Sequence, residues 1–562
     1  MTIDRQKLRW NGWGPIDQPN ALPDDAAQWS DIQAALGLAD LPSTPPVKFA
    51  DIIMPACHLT QTHTAALCAI VGDNQVRLDD YERAFHARGK SYHDLLYLRA
   101  GRLETAPDAV VYPRSADEVL EIIAYCTEHD IALVPFGGGS SVVGGVNAQA
   151  KSVDGALITL DMTLMDKLLA VDKVAMTATL QAGIYGPDLE KKLAEQGVTL
   201  GHYPQSFDYS TLGGWIAASG AGQQSNRYGR AGAWLVSARL ATPQGFWSTK
   251  DAPASAAGPN LTQLVAGSEG ALGVICEATV RVHAVPEKKD YRGYLCSDFA
   301  RGADIIRRIT QADIPVATLR LSDAAETHFL QILSQTRRPG ALKGWLRKLY
   351  LKWKGFAQTP CLLLIGLEGD AQSVGWSLEQ TTKLCLDAGA LKLGARAGNS
   401  WYRNRFSAPY VRDPMLDHGL GIDTLETATR WSNLSVLHNT VTAAIADAMQ
   451  ANMPEPTARG PEPAGIVMAH ISHSYPDGAS LYFTFVFPRQ LDREVEQWQA
   501  IKRTASDAIL AHGGTISPHH GVGTDHVPWA MEEKGEIGLA ALQSLKQRLD
   551  PQGILNPGKL LP

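Results

Sequence analysis

The sequence predicts an α+β protein of several domains, and three observations support this fold class. The chain has 562 residues, enough for three or four domains at roughly 150 residues each. Between residues 107 and 146 a strand, a helix, a strand and a glycine-rich loop follow one another, an order that is typical of α/β structure. From about residue 287 the pattern changes to spaced strand-like runs within a long mixed segment, which indicates a second domain of α+β type.

The composition excludes several classes of protein. Hydrophobic residues make up 45% and charged residues 19%, which is typical of a folded enzyme and not of a disordered chain. The formal net charge is −7, so overall basicity gives no reason to expect a nucleic-acid partner. The first residues carry charges, and no run reaches the roughly 18 apolar residues of a spanning helix. Seven cysteines without a CxxC pair favour reduced thiols, so a cytoplasmic protein is expected.

The elements can be followed in order along the chain. Residues 1–105 are a mixed N-terminal extension, expected to wrap on the body of the protein. In residues 106–286, Ser115 is the predicted N-cap of a helix that ends near His129, because Glu118 follows it by three positions. A second helix is predicted at 187–196. The predicted strands of this domain lie at 109–112, 131–134, 156–161, 176–182, 234–242 and 274–283.

The second half of the chain is predicted in less detail. Residues 287–505 form the second domain, with strands at 291–296, 361–367 and 481–487. Residues 506–562 form a C-terminal segment that contains a histidine-rich loop at 517–526 and then a helix.

A glycine-rich loop follows the predicted strand at 131–134. Three consecutive glycines permit positive φ, so that successive backbone N–H groups can converge on a diphosphate. The run fits neither GxGxxG, because Val142 stands at the third glycine position, nor a P-loop, because the lysine is absent. A tight turn without a ligand is the alternative. The loop comprises Pro135, Phe136, Gly137, Gly138, Gly139, Ser140 and Ser141.

Two further segments are dense in glycine and small hydroxyl residues. They lie at 201–216 and at 267–275, the latter just before a predicted strand. Three such segments in one domain would surround an extended dinucleotide better than a single loop.

In this order and spacing the three segments resemble the FAD-binding domain of the vanillyl-alcohol oxidase / p-cresol methylhydroxylase superfamily. Within it, the chain from the motif at 9–14 to its C-terminus is most similar to the alkyldihydroxyacetonephosphate (alkylglycerone-phosphate) synthases. The resemblance implies a two-part FAD-binding domain of p-cresol methylhydroxylase type at 106–286 and an α+β cap domain for substrate at 287–505. It also implies that residues 506–562 return to the flavin site, and a homodimer is a further expectation.

The resemblance implies the residues that contact FAD. Pro135 to Ser141 would hold the diphosphate. Noncovalent FAD is expected, because the loop has neither a histidine nor a cysteine of the kind that tethers flavin in several members of the superfamily. The other implied contacts are Gln205, Ser206, Phe207, Asp208, Tyr209, Ser210 and Thr211, then Ala218, Ser219, Gly220 and Ala221, and finally Glu269, Gly270, Ala271, Leu272, Gly273, Val274 and Ile275.

The implied reaction exchanges the acyl chain of acyl-dihydroxyacetone phosphate for a fatty alcohol, in ether-lipid synthesis. FAD would trap the substrate carbon on its N5 atom without net redox change. The alternative on the same fold is an FAD-linked oxidoreductase that oxidises a 2-hydroxy acid or a polyol. A non-enzymatic flavin-binding lipid sensor is a third possibility, which the dense polar pocket residues disfavour.

Two adjacent imidazoles, His519 and His520, precede a glycine turn in the C-terminal segment. Histidine titrates near neutral pH and suits proton transfer. Neighbouring side chains are expected to point in different directions, so one ring could face the flavin and the other the substrate. Structural hydrogen bonds in a loop are the alternative. The synthases have three histidines here; this chain matches the second and third and has Pro518 for the first.

The resemblance implies further catalytic and substrate residues in the cap domain. Tyr482, on a predicted strand, corresponds to the acid/base tyrosine, and a nearby cation would have to lower its pKa. Arg320 and Arg412 correspond to active-site arginines that could supply that cation or pair with a phosphate. A core aromatic and surface ion pairs are the respective alternatives. His202 and Thr424 fall on substrate-pocket positions, whereas Gln205 stands where the synthases have an acid.

No metal is expected. Related FAD-linked 2-hydroxy-acid dehydrogenases bind a divalent metal through two histidines and a glutamate. Here His519 stands at the glutamate position. His470 and His473 remain, but the sequence suggests no oxygen ligand beside them.

One segment differs from the bulk composition. In residues 342–356, apolar side chains recur at helical spacing, and lysines and an arginine lie largely on the other faces. This pattern is typical of a basic amphipathic helix that lies on an anionic membrane, and a surface helix packed on the cap domain is the alternative. Lipid substrates would make such a peripheral contact useful.

Overall fold

The structure is a computed structural model that describes residues 4–18, 22, 25–38, 40–333, 351, 356, 360–453 and 465–562. The predicted amphipathic helix at 342–356 therefore lies outside the described residues, except for Leu351 and Phe356. Among the described helices, none has the length and apolar character that crossing a membrane requires.

The first part of the chain contains two larger sheets and a two-stranded ladder. Its strands are β1 (Val76–Arg77), β2 (Ala109–Val111), β3 (Ala132–Phe136), β4 (Leu157–Asp161), β5 (Leu168–Asp172), β6 (Thr177–Gln181), β7 (Val198–Thr199), β8 (Leu235–Thr242), β9 (Gly245–Ser248), β10 (Val274–Arg281) and β11 (His283–Ala284). Its helices are α1 (Ala26–Ala35), α2 (Gln61–Val71), α3 (Asp80–Phe85), α4 (Tyr92–Arg99), α5 (Ala116–Glu128), α6 (Gly186–Ala194), α7 (Leu212–Ala217), α8 (Ser225–Tyr228), α9 (Ala231–Trp234) and α10 (Thr262–Val265).

The four-stranded sheet has the order β1-β2-β4-β3, with β2, β4 and β3 parallel. The five-stranded sheet is antiparallel, in the order β5-β6-β10-β8-β9. Helix α5 begins as predicted, because the Ser115 hydroxyl accepts a hydrogen bond from the Glu118 N–H at 3.2 Å. β3 is apolar and largely buried, and it delivers the glycine-rich loop directly after Phe136.

The second part of the chain is built on one antiparallel sheet of seven strands. Its strands are β12 (Lys288–Cys296), β13 (Thr318–Ser322), β14 (Cys361–Gly369), β15 (Leu391–Gly394), β16 (Leu420–Arg430), β17 (Ile466–Ser474) and β18 (Gly478–Pro488). Its helices are α11 (Phe299–Gln311), α12 (Ala324–Leu333), α13 (Ala371–Asp387), α14 (Ala395–Asn404), α15 (Arg412–Asp417), α16 (Leu434–Ala451), α17 (Glu494–Ala511) and α18 (Val527–Leu549). The strand order is β15-β12-β14-β13-β17-β18-β16, which we call the cap sheet.

The two faces of the cap sheet differ in chemistry. On β18, Leu481, Phe483 and Phe485 are fully buried in the core, where helices α11 and α16 also contribute. Tyr482 and Thr484 alternate with them and face the opposite side. The period of two along each strand therefore gives the cap sheet one apolar core face and one face with polar groups.

The end of the chain returns to the first part. The Leu133 N–H donates to the Ile554 carbonyl at 2.8 Å, and the Asn556 N–H donates to the Leu133 carbonyl at 2.8 Å. The tail thus runs beside β3 as a short parallel bridge. Its position holds the last residues of the chain next to the glycine-rich loop.

Candidate functional site

A cavity of about 2370 Å³ lies between the glycine-rich segments of the first part and the polar face of the cap sheet. The loop after β3, the segments around 204–221 and 269–275, and the histidine-rich loop all contribute to its wall. Strands β13, β16, β17 and β18 supply the facing wall. The fold therefore brings the predicted flavin segments and the predicted catalytic residues to one space.

The glycine-rich loop packs too closely on its neighbours to carry side chains. A Cβ atom on Gly138 would lie 1.8 Å from the Tyr209 carbonyl oxygen, and one on Gly137 would lie 2.2 Å from Thr211 Oγ1. Gly139 has φ +70°. No described residue accepts a hydrogen bond from the backbone N–H groups of Gly138, Gly139 or Ser140. Backbone donors left without a protein partner beside a cavity fit the diphosphate of FAD.

Most of the predicted FAD contacts line the cavity. Those that do are Pro135 to Ser141, Gln205, Ser206, Asp208, Ser210, Thr211, Ala218, Gly220, Ala221, Glu269, Gly270, Gly273, Val274 and Ile275. Phe207, Tyr209, Ser219, Ala271 and Leu272 are not among the lining residues, and their contact with FAD stays a prediction. Phe207 stacks on Phe406, and Tyr209 packs edge-on against Tyr410.

Glu269 joins the flavin segments to the C-terminal loop. Its carboxylate oxygens accept the backbone N–H groups of Val522 at 2.5 Å and Gly523 at 2.7 Å. Burial raises the pKa of this carboxyl to about 7, although the two N–H donors act in the opposite direction. Asn556 Nδ2 donates to the Glu269 carbonyl oxygen at 2.6 Å. This residue therefore positions the loop that carries the two adjacent histidines.

The N-terminal extension contributes a residue that the sequence did not suggest. Arg5 is buried, and its guanidinium donates to the Gly137 carbonyl at 2.6 Å and to Asp161 at 2.8 Å. Asp161 also lies 2.9 Å from the ring of His86. Because Asp161 ends β4 beside Phe136 of β3, this contact fixes the start of the glycine-rich loop.

Three polar residues form a row across the cap sheet. Glu426 of β16 is the direct cross-strand partner of Tyr482 on β18, and Tyr482 is the partner of His470 on β17. The rings of His470 and Tyr482 stack with centroids 4.8 Å apart. All three line the cavity. Register alone therefore places a carboxylate and an imidazole on either side of the phenol.

Tyr482 is held as a phenol at neutral pH. Burial raises its pKa to about 12, and the nearby Glu426 carboxylate adds to that shift. Thr424 and Arg412 act in the opposite direction. In the absence of ligands the phenol is therefore a proton donor, and it could become a base only when a further positive charge lies beside it.

The two adjacent histidines converge on one carboxylate. His519 Nε2 lies 2.5 Å and His520 Nε2 lies 3.0 Å from the same oxygen, Oε2 of Glu426. The two rings therefore share one protein neighbour, and which of them would face the flavin and which the substrate stays a prediction. Glu426 was missed because β16 reads as a polar run in which Asp, Thr and Glu mask the alternation.

Burial keeps these imidazoles uncharged. It lowers the pKa of His519 to about 3, with Arg230 adding to the shift, and lowers that of His520 to about 4 despite the opposing effect of Glu426. It also lowers the pKa of His473, whose ring lies edge-on to His519 at 4.5 Å. At neutral pH the cluster thus combines neutral rings with one buried carboxylate.

Arg320 and Arg412 both line the cavity, but each already has partners. Arg320 contacts Glu326 at 2.9 Å and the ring of His470 at 2.7 Å, so it acts on Tyr482 through His470 and not directly. Burial favours a raised pKa for Glu326, but Arg320 and His470 outweigh it and lower that pKa to about 2. Arg412 donates to the Lys90 carbonyl at 2.9 Å and lies 3.5 Å from Asp423.

The two predicted substrate residues also reach the cavity. Thr424 lies two residues before Glu426 on the same face of β16. His202 is buried between Trp215 and Trp234, and the Trp234 indole N–H donates to its Nδ1 at 3.3 Å. Its Nε2 has no hydrogen-bond partner among the described residues. Burial lowers the pKa of His202 to about 3.

The reasoning against a metal needs one correction. The sequence suggested no oxygen ligand beside the histidines, but Glu426 lies there, and Glu426, His473 and His519 offer atoms within 4.8 Å of one another. These residue types could accept a transition-metal ion. The expectation that the protein needs no metal stays a prediction.

Apolar side chains form another part of the cavity wall. They come from β12, β14 and β17 and from helix α12. Phe356, one of the two described residues of the segment at 342–356, lies in the same wall. The residues are Leu295, Leu362, Leu364, Phe329, Leu330 and Met468.

Two family models match the chain. The one described as "FAD binding domain" matches residues 107–249, and the one described as "FAD linked oxidases, C-terminal domain" matches residues 285–560. A solved p-cresol methylhydroxylase has a TM-score of 0.65 at 14% identity, covering 89% of this chain and 97% of its own, which shows the fold. The chain is thus an FAD-dependent enzyme with the predicted two-domain architecture, and the predicted fold class is confirmed.

Closer relatives define the family. The alkyldihydroxyacetonephosphate synthase of Dictyostelium discoideum is 33% identical, over 99% of this chain and 94% of the relative. That of Trypanosoma brucei brucei is 31% identical over 99% and 93%. A solved alkyldihydroxyacetonephosphate synthase has a TM-score of 0.83 at 30% identity, covering 99% of this chain and 100% of its own. The chain belongs to the alkyldihydroxyacetonephosphate synthase family, as the sequence motifs predicted.

Proposed function

We propose that the protein exchanges the acyl chain of acyl-dihydroxyacetone phosphate for a fatty alcohol. The observation that carries the proposal is the single cavity in which the flavin segments, the polar row of the cap sheet and an apolar wall meet. A lipid with a phosphate head needs all three surfaces: a cofactor, polar groups for the head and apolar contacts for the chain.

Each polar group has a role that its surroundings support. Tyr482 is protonated at neutral pH and donates a proton to the oxygen of the substrate or the leaving group. Arg412 reaches the cavity from the first turn of α15 and pairs with the phosphate. Arg320 holds the ring of His470 against Tyr482 and is a positioning residue. His202 and Thr424 line the substrate side, and the residues at 135–141 hold the diphosphate of FAD.

Bound FAD supplies the electrophilic centre that holds the substrate carbon while the chains are exchanged. The chain's own residues bind the head group, exclude water from the cavity and move the proton. The loop at 137–141 offers no histidine or cysteine for a covalent link, which supports noncovalent FAD.

Anaerobic rapid-mixing absorbance of the flavin-loaded protein tests this function. Acyl-dihydroxyacetone phosphate is added first and a fatty alcohol second, with no electron acceptor present. We expect the visible flavin absorbance to fall and then to return when the alcohol arrives, with release of the fatty acid. Fully loaded protein that shows no absorbance change and releases no acid would contradict the proposal. Lasting bleaching by a 2-hydroxy acid would instead indicate the oxidoreductase, which no observation here favours.

We also propose that the segment at 342–356 makes a peripheral contact with anionic membranes. Its sequence pattern supports this, and its two described residues, Leu351 and Phe356, line the cavity that would receive a lipid. Co-sedimentation with anionic vesicles, compared with zwitterionic vesicles, is the test. Exchange of Lys343, Lys348 and Lys352 for Glu should abolish the binding, and equal binding by this variant would contradict the proposal.

A further inference from the structure

Glu426 is a buried acid that lines the cavity. Its side chain is only 2% exposed, and its neighbours come from three separate elements. Ser472 of β17 donates to its Oε1 at 3.2 Å, Tyr482 of β18 is its cross-strand partner, and the histidine-rich loop covers its Oε2. No sequence motif assigns a role to this residue.

Both rings of the adjacent histidine pair approach Glu426 through the same type of atom. The atom is Nε2 in His519 and in His520. A neutral imidazole has one N–H and one lone pair, and a carboxylate oxygen offers only lone pairs. A neutral ring that forms a hydrogen bond to this oxygen through Nε2 must therefore carry its hydrogen on Nε2. The lone pair of each ring is then on Nδ1.

The hydrogen bonds from the two rings to Glu426 are not formed in this conformation. Neither ring N–H is aligned as a hydrogen bond, so Glu426 Oε2 has no hydrogen-bond partner among the described residues. The Nδ1 atom of His519 is buried and has none either. His519 lines the cavity, so a ligand there is the available partner. Catalytic contacts are often poorly aligned without substrate and tighten when it binds.

We propose that Glu426 is a positioning residue that holds His519 and His520 in the Nε2–H tautomer, so that an Nδ1 lone pair takes the proton from the substrate. The proton leaves the carbon next to the substrate carbonyl and moves to Nδ1, and the electron pair of the broken C–H bond moves into that carbonyl to give an enolate. The resulting imidazolium is stabilised by the adjacent carboxylate. A proton returns from Nδ1 to this carbon when the chains have been exchanged, so no oxidant or reductant is needed, and while the proton is on Nδ1 it can exchange with water.

This inference assigns different tasks to neighbouring groups and rests on the proposed function for its substrate. Tyr482 keeps its hydrogen at neutral pH and donates, whereas the histidine pair has a free lone pair and accepts. Because Glu426 adjoins both, its negative charge opposes ionisation of the phenol and favours protonation of His520. One buried carboxylate thus separates the acid from the base.

The test compares Glu426→Gln, Glu426→Asp and the matched control Glu368→Gln. Glu368 is a buried carboxylate on β14 of the same sheet, but it is bonded to Tyr228, Tyr291 and Gln224 outside the cavity. The measurements are FAD content, KM, kcat and the exchange of substrate hydrogen with deuterated water. We expect Glu426→Gln to keep FAD and KM, and to lose kcat and hydrogen exchange by about 100-fold or more. Glu426→Asp should recover at least about tenfold of the loss.

Glu368→Gln should change thermal stability but keep kcat within about threefold. A Glu426→Gln variant whose kcat and hydrogen exchange stay within about threefold of the wild-type values would overturn the inference. Wild-type protein without any turnover would instead refute the proposed function. The inference then remains testable by ¹⁵N spectra of histidine-labelled protein. His519→Asn and His520→Asn assign the two rings, which must show the Nε2–H tautomer in the wild type and change in Glu426→Gln.

If the spectra of the two rings do not respond to Glu426→Gln, the inference is wrong. Metal analysis supplies a further criterion. A stoichiometric metal that is present in the wild type and lost in Glu426→Gln would make Glu426 a ligand and would also overturn the inference.

Discussion

The two walls of the cavity are built on different principles. On the flavin side, closely packed backbone makes the wall, and Gly138 tolerates no Cβ because the Tyr209 carbonyl lies where that atom would be. On the cap side, extended strands place side chains in a row, and Glu426, Tyr482 and His470 meet through cross-strand register. The first wall depends on consecutive residues, and the second depends on residues 12 to 56 positions apart in the chain. A substitution should therefore affect FAD binding on one wall and turnover on the other.

The largest expected effect is on the flavin wall. Gly138→Ala should abolish FAD binding, because its Cβ would lie 1.8 Å from a backbone oxygen that cannot move without displacing the segment at 205–211. The ratio of visible flavin absorbance to protein absorbance measures this. Gly375→Ala is the matched control, because the helix α13 leaves the space around that position open. Normal FAD content in Gly138→Ala would show that the loop does not contact the cofactor closely.

The next effect belongs to the cap wall. Tyr482→Phe should keep FAD and lower kcat by about 100-fold or more, because the proton donor is lost while the ring still fills its site. Tyr294→Phe is the control, since Tyr294 is a buried tyrosine of the same sheet whose hydroxyl contacts Thr382 in the core. Steady-state release of fatty acid is the measurement. Equal rates of fatty acid release by the two variants would show that Tyr482 takes no part in the reaction.

A smaller effect is expected where the two walls join. Glu269→Gln should lower the free energy of unfolding by about 1–3 kcal/mol, because one of the N–H groups of Val522 and Gly523 would face an amide N–H instead of an oxygen. Urea unfolding followed by circular dichroism measures it. Glu277 on β10 is the control, because its side chain is partly exposed. Glu277→Gln should change the free energy of unfolding by less than about 0.5 kcal/mol. Similar losses of unfolding free energy in both variants would show that Glu269 does not join the two walls.

The last expected effect concerns pH, and it develops gradually over several pH units. The folded pKa of His202 is about 3, below the ordinary value of 6.5, so the unfolded chain binds the proton first as the pH falls. Stability that His202 provides above pH 6.5 is therefore lost as the pH falls toward 3, by at most about 1.4 kcal/mol per pH unit. His202→Asn should reduce the slope of unfolding free energy against pH between 6 and 4. An unchanged slope would mean that His202 is protonated in the folded protein.

The sequence predicted the flavin wall well and the cap wall only in part. The glycine run, the N-cap Ser115 and the order of strands in the first part are local patterns, and local geometry follows from them. A continuous motif does not reveal which of its side chains face a cavity, and Phe207 and Tyr209 belong to the motif without lining the cavity. Strand β16 was missed because its alternation is polar, and Glu426 was missed with it. The register that joins residues 426, 470 and 482 depends on tertiary pairing, which no short window contains.

The tail that runs beside β3 has a consequence for the order in which the protein matures. Asn556 donates hydrogen bonds to the carbonyl oxygens of Gly145 and Glu269, and Lys559 donates to that of Asn147. These contacts join positions more than 280 residues apart. During synthesis, the glycine-rich loop leaves the ribosome long before the residues that brace it. These hydrogen bonds can therefore form only after residue 559 has been released, so the glycine-rich loop is not fully braced before that point.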